Sequence, residues 1–180
     1  MTWPTRASRT VYENRWIRVV EDEVERPDGE AGIYGVVEMR HPAVFVVAVT
    51  DADEVLLVTV DRHTVGASIE VPAGGTDGED ALDAARRELL EETGYAASEW
   101  REIGFMTALN GIARAPETVF LATGLELADS AAHHQHEEGI SQVRAVPWAE
   151  VWSMVRGGGI TDGETVAALA YAAVHLGRMS

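Results

Sequence analysis

Residues Arg86 to Tyr95 read RRELLEETGY and set the carboxylates of Glu88, Glu91 and Glu92 on little more than one helical turn. Side chains three and four positions apart on a helix are neighbours, so these acids crowd one small volume. Like charges placed in this way destabilise an isolated helix by roughly 0.2–0.5 kcal/mol per pair, and acids near a helix C-terminus also oppose its macrodipole. A solvated face eased by Arg86 and Arg87 is the plain account of such crowding. The stretch EVPAGG, Glu70 to Gly75, points instead to chemistry, because it brings a glycine-rich backbone loop in from a strand. Hard oxygen donors gathered in this manner suit Mg²⁺ or Mn²⁺, which favour carboxylates, carbonyls and water.

The elements that must position these groups follow from periodicity. A helix is predicted over Glu79 to Thr93, where Leu82, Ala85 and Leu89 recur at i, i+3 and i+7 on one face. Gly94 supplies its C-terminal cap. From Val11 to Val37 the pattern suggests short strands of a separate small sheet, with Pro27-Asp28-Gly29 as a turn. AVFVVAVT and EVLLVTVD are β-branched runs separated by DAD, which reads as a hairpin or meander of largely buried strands. Strand character then runs into SIEVPAGG, and REIGFMTAL, ETVFLATGL and ISQVRAV read as further strands. Pro147 opens a short helix as its first residue, GGG breaks it, and TDGETVAALAYAAVHL gives a last helix with an alanine-rich face. The biased segment AAHHQHEEG reads as a loop, in which His133, His134 and His136 fit an exposed polar tract better than a metal site.

At 180 residues the chain fits one compact domain with an N-terminal arm. Thirty acidic against fourteen basic residues give a formal charge of −16, which disfavours adhesion to nucleic acid or anionic membrane. An anionic substrate therefore needs a metal or a local basic cluster to bring it in. The chain has no cysteine, which excludes a disulfide framework, a thiolate metal site and a cysteine nucleophile. MTWPTRASRT lacks the apolar core of a secretory signal, and no later stretch is apolar for long enough to span a bilayer, so a cytoplasmic protein is expected.

GGTDGEDALDAARRELLEETGY resembles the Nudix box, GX5EX7REUXEEXGU, in which U is a bulky apolar residue. Arg87, Glu88, Leu89, Glu91, Glu92, Gly94 and Tyr95 fill its second half without a gap. Counting back from Arg87 puts Glu79 at the first glutamate, and Gly74 then stands one residue too close, so the loop is one residue short. Gly75 and Gly78 are placed to absorb that shortening. The N-terminal strands, EVPAGG and GGGITDGETVAAL are similar to the ADP-ribose pyrophosphatase branch, whose members typically hydrolyse nucleoside diphosphates joined to sugars. The resemblance implies an α/β fold, a mixed sheet sandwiched between helices (α/β/α) with an extra N-terminal antiparallel sheet. Residues 1–40 would be N-terminal strands forming a dimerisation arm, and 41–180 the catalytic domain of a homodimer.

The resemblance also implies Mg²⁺, or Mn²⁺, held by Glu88 and Glu92 with the Ala73 carbonyl contributing, Glu91 nearby and Arg87 orienting a glutamate. Branches of the family differ in their general base. Some use a glutamate of the box, here Glu88; the ADP-ribose branch uses a loop glutamate between the last strands, here Glu137 or, favoured, Glu138. Arg62 stands where that branch often carries an arginine near the phosphates, with a surface arginine at a strand end as the equal alternative. Glu117 either faces the site or opens a strand. Trp16 is the candidate, among Trp3, Tyr12, Trp16 and Tyr34, for stacking on a purine, although core or interface packing is the ordinary role of such residues. The implied reaction cleaves the diphosphate of ADP-ribose or another small-molecule nucleotide sugar. A proline typical of dedicated ADP-ribose hydrolases is displaced, with Asn110-Gly111 near its expected place and Pro116 later, which leaves the particular substrate open. A nucleotide-sensing domain that does not cleave, and a house-cleaning nucleoside triphosphatase, are the other readings. The intact Arg87-Glu88 and Glu91-Glu92 set favours catalysis.

Overall fold

The computed structural model describes residues 3–128 and 139–178. Along the chain the elements are β1 (Thr5–Glu13), β2 (Ile17–Glu25), β3 (Ala31–Met39), β4 (Ala43–Ala48), β5 (Glu54–Arg62), β6 (Gly66–Glu70), β7 (Ala73–Gly75), α1 (Ala81–Thr93), β8 (Tyr95–Thr107), β9 (Ala113–Arg114), β10 (Pro116–Leu127), β11 (Ile140–Pro147), α2 (Trp148–Arg156) and α3 (Gly163–His175). They divide into two compact units, Met1–Pro42 with Thr107–Glu117, and Ala43–Met106 with Thr118–Ser180.

In the first unit β1, β2, β3 and β9 form one sheet in that order, antiparallel except for β3 with β9. The predicted turn is present: Gly29 has φ +84, and its N–H donates to the Arg26 carbonyl at 2.8 Å. Strand structure begins earlier than the apolar pattern indicated, at Thr5, because β1 is exposed along its whole length and so carries no burial alternation to detect. Val20, Val24 and Val36 are buried, and Asp22 is buried among them beside Arg114 at 3.6 Å. Burial would raise the Glu38 carboxyl, but hydrogen bonds from Arg18 and Arg114 outweigh it and hold the group below its ordinary range. A cavity of about 430 Å³ lies in this unit, lined in part by Trp3, Asp22, Tyr34, Asn110 and Arg114.

In the second unit the expected hairpin or meander at DAD is a tight turn, with the Thr50 N–H donating to the Glu54 carbonyl at 2.9 Å, but not a two-stranded ladder. β4 sits in a sheet ordered β7-β4-β10-β8 and β5 in another ordered β11-β5-β6, and the two runs meet at an isolated bridge between Val49 and Val55. Both strands are buried on both faces, so their apolar runs announce strands without indicating a partner. Their alternation instead sorts residues to opposite layers. Val44, Val46 and Ala48 pack with Ala84, Ala85 and Leu89 of α1, whereas Phe45, Val47 and Val49 pack with Val151 of α2 and Ala168, Leu169 and Ala172 of α3. This is an α/β/α sandwich. Leu89 is fully buried, which stabilises the docking of α1 by about 1.5–3 kcal/mol.

The helix ends follow from capping chemistry. α1 starts at Ala81, two residues later than predicted, because the Asp80 carboxylate accepts the Leu82 N–H at 2.9 Å and makes Asp80 the cap. Gly94, at φ +80, closes the other end as expected. Pro147 lies outside α2 as its N-cap, since it is still the last residue of β11, paired with Glu54. Among the described residues no helix is long and apolar enough to cross a membrane.

Candidate active site

The segment Glu70–Gly75 is held at successive residues. Arg62 donates to the Glu70 carboxylate through Nε at 3.2 Å and Nη2 at 2.6 Å. The Val71 N–H donates to Thr165 Oγ1 at 3.1 Å, and the Pro72 carbonyl accepts from the Val46 N–H at 2.8 Å. The Ala73 N–H donates to Glu92 Oε2 at 3.0 Å. Gly74 faces Glu88 so closely that a Cβ there would lie 2.2 Å from Oε1, so glycine is needed for approach rather than for its backbone angles. Residues Thr76 to Glu79 then turn sharply: Asp77 and Gly78 have φ of 50 and 92, and the Glu79 N–H donates to the Thr76 carbonyl at 2.8 Å. These are the marks of a two-residue primed turn, for which Asp-Gly is well suited. Of the two glycines expected to ease the short loop, Gly78 lies in this turn at positive φ beside Asp77, while Gly75 is the last residue of β7.

Opposite this segment, α1 buries Glu88 and Glu92, each 5 % exposed, on the same side as Leu89. Taking ionised carboxylates out of water costs several kcal/mol each unless partners compensate. Arg87 is one such partner. Its guanidinium donates to Glu79 Oε2 at 3.1 Å, Glu88 Oε1 at 2.7 Å, Glu91 Oε2 at 3.2 Å and the Gly75 carbonyl at 2.9 Å. Partial burial alone would lower the Arg87 pKa, yet its bond to Glu79 and the charge of Glu88 raise it well above the ordinary value. Arg87 thus ties the glycine loop to the helix as a permanent cation. Arg62 has its pKa raised first by the hydrogen bond to Glu70, against burial, with the charges of Glu92 and Asp162 adding to the rise. Burial raises the Glu164 carboxyl, and Asp162 and Glu70 push it further in the same direction.

The second unit brings together Arg62, Ala73, Arg87, Glu88, Glu91 and Glu92. Trp16 belongs to the first unit, where it is 59 % exposed next to Arg15, whose guanidinium lies 4.0 Å from the ring centroid. It is not a core residue. Glu117 is buried as the second residue of β10 and is counted with the first unit. Glu137, Glu138, His133, His134 and His136 lie outside the described residues. Sequence reasoning passed over Glu70, Asp162 and Thr165. Glu70 had a signal, an acid inside a buried strand just ahead of PAGG. Asp162 and Thr165 also had one, since Asp-x-x-Thr at a helix start is a capping pattern, here realised by the Thr165 N–H donating to Asp162 Oδ2 at 2.7 Å.

Among the described residues no three His, Cys, Asp or Glu side chains are grouped so as to hold a metal ion by themselves. Mg²⁺ seldom asks for that; it keeps several waters and takes one or two carboxylates plus substrate oxygens. Two buried glutamates against a loop of close-packed backbone fit such a cation.

The family model described as NUDIX domain matches residues 39–156, and the one described as nucleoside diphosphate sugar hydrolase N-terminal domain matches residues 3–37. The chain belongs to the Nudix family. Hydrolases of this family generally use a divalent metal, and their substrates are small nucleotides, which suits the acids of this Nudix site. The chain is 33 % identical over 166 residues to the methanol dehydrogenase activator of Bacillus methanolicus, covering 89 % of this chain and 87 % of that protein. It is 35 % identical over 175 residues to the ADP-ribose pyrophosphatase of Mycobacterium tuberculosis, covering 95 % and 82 %. The crystal structure of an ADP compounds hydrolase superposes with a TM-score of 0.84 at 20 % identity, covering 99 % of this chain and 98 % of that one, so the Nudix fold is shared across the whole length.

Proposed function

We propose that this chain is a Mg²⁺-dependent pyrophosphohydrolase that cleaves the diphosphate of ADP-ribose or a similar nucleoside diphosphate sugar to a nucleoside monophosphate and a sugar phosphate. The observation that carries the reading is the pair of buried glutamates, Glu88 and Glu92, held against the glycine-rich segment and braced by Arg87. The name of the Mycobacterium tuberculosis relative and the match to the sugar-hydrolase N-terminal domain support the substrate class. Glu88, Glu92 and the Ala73 carbonyl would hold the metal, with Glu91 beside them. Bound there, a divalent cation would neutralise the diphosphate and lower the pKa of a water.

The chain's own residues do the rest. Arg87 fixes the rotamers of Glu88 and Glu91 through charge-assisted bonds. Arg62, already paired with Glu70, would share its remaining N–H groups with a phosphate. Glu138, with Glu137 as its neighbour, is proposed to take the water's proton, Glu117 to lie near the substrate, and Trp16 to stack on its base. A homodimer built through the exposed β1 edge and a cytoplasmic location complete the proposal.

The test is turnover by purified protein with Mg²⁺ of a panel holding ADP-ribose, other nucleoside diphosphate sugars, dinucleoside polyphosphates and nucleoside triphosphates, resolved by ion-exchange chromatography. Preferred cleavage of a diphosphate sugar is expected. Absence of any cleavage, with nucleotide binding retained, would overturn the reading in favour of a sensor.

A further inference from the structure

We propose that Thr165, set by Asp162, is a positioning residue for the metal-binding segment: α3 holds the Val71–Ala73 backbone in the place from which it can serve Glu92 and a bound cation. The inference rests on the metal reading given above and adds a component far from the box in sequence. The side chain of Thr165 is wholly buried, and its Oγ1 accepts the Val71 N–H at 3.1 Å across a separation of 94 residues. Asp162 Oδ2 accepts the Thr165 N–H at 2.7 Å, which fixes the first turn of α3 and with it the direction of the hydroxyl.

The geometry gives this bond more than a packing role. Val71 lies between β6 and β7, where Pro72 has no N–H to offer and only its carbonyl is tied to β4 by the Val46 N–H at 2.8 Å, so the hold on the Val71 N–H falls to Thr165. Two residues on, Ala73 donates to Glu92 at 3.0 Å, and Gly74 abuts Glu88. The clamp from α3 is therefore an outer support of the inner ligands. Removing outer supports of a metal site typically weakens metal binding by about 10–100-fold. Thr165→Val keeps the shape of the side chain and deletes the acceptor; Thr165→Ser keeps the acceptor and deletes a methyl group.

The experiment measures Mn²⁺ binding to each full-length variant by the electron paramagnetic resonance signal of free Mn²⁺, without substrate, together with thermal unfolding in EDTA. Thr165→Val is expected to weaken Mn²⁺ binding by about 10-fold or more at a temperature where it is fully folded, while Thr165→Ser stays within about 2-fold of the parent. With ADP-ribose, the valine variant should need about 10-fold more Mg²⁺ for half-maximal rate yet keep a near-parental KM once Mg²⁺ saturates. Mn²⁺ affinity unchanged in Thr165→Val overturns the inference. If the valine variant does not fold, the serine variant decides: weakening well beyond 2-fold there would assign the effect to packing and overturn it. Failure of the parent protein itself to bind Mn²⁺ would instead overturn the metal reading.

Discussion

Gly74→Ala tests the site at its tightest contact. A Cβ at this position would meet Glu88 Oε1 at 2.2 Å, Cδ at 2.3 Å and Oε2 at 2.6 Å, whereas real Cβ atoms essentially never come under 3.0 Å, so the carboxylate must retreat by at least about 0.8 Å. Gly74 does not use the left-handed region, so alanine brings no backbone strain of its own. The displaced atoms belong to the end of a long side chain, which leaves the fold able to absorb the change for about 1–3 kcal/mol, the usual range for overpacking. Catalysis is less forgiving. Misplacing a group by about 1 Å can cost 10²-fold in rate, equivalent to about 2.7 kcal/mol at the transition state. The expected result is a kcat for ADP-ribose lower by about 100-fold with far-ultraviolet circular dichroism unchanged and the melting temperature down by a few degrees. Steady-state kinetics by chromatography of the released AMP measures it. A kcat within about 3-fold of the parent would refute the claim that Glu88 must sit where this loop holds it.

Further substitutions probe other links. Glu92→Gln preserves an oxygen that can accept the Ala73 N–H and removes the charge; kcat should fall by about 10³-fold with the fold intact, as read by kinetics and circular dichroism. Glu164 has a raised carboxyl pKa, so its charged form opposes folding: its favourable contribution is present below the unfolded value of 4.5 and is lost as pH rises through the folded one. Glu164→Gln in EDTA should then raise the melting temperature by about 1–2 °C at pH 7 and leave it unchanged at pH 4, by differential scanning fluorimetry. For Glu38 the sign is opposite, because a depressed pKa stabilises above the unfolded value of 4.5 and fades as pH falls through the folded one. Arg114→Ala, which removes one partner of both Glu38 and Asp22, should destabilise by about 1–2 kcal/mol in urea at pH 7, with the difference shrinking below pH 4.

What could be read before the structure was what is local. The α1 helix shows itself through Leu82, Ala85 and Leu89, its end through Gly94, and its acids through their spacing alone. That Arg87 would hold a glutamate was implied by the resemblance to the Nudix box and not by spacing; its guanidinium lies on Glu88 and Glu91. Pairing between distant strands left no trace of that kind. β4 and β5 are buried on both faces, so their residues say that they are strands and not which strands flank them. β1 was invisible over its first half for the opposite reason, being exposed throughout. Thr165 drew no notice because the partner of its hydroxyl, Val71, is 94 positions away. Contacts of that range depend on tertiary packing, which no window along the chain contains.

The separation of β4 from β5 bears on how the protein comes off the ribosome. Neighbouring strands that zipped together could form as soon as both had emerged. Here β5 can pair with β6 as soon as that strand emerges, but β4 must wait for β7 and β10, and the second neighbour of β5, β11, comes later still. Long-range pairings of this sort slow folding, because loop closure precedes any reward. The sheet on which α1 packs is thus complete only after β10 has emerged, and the bond between Thr165 of α3 and Val71 is the last to form.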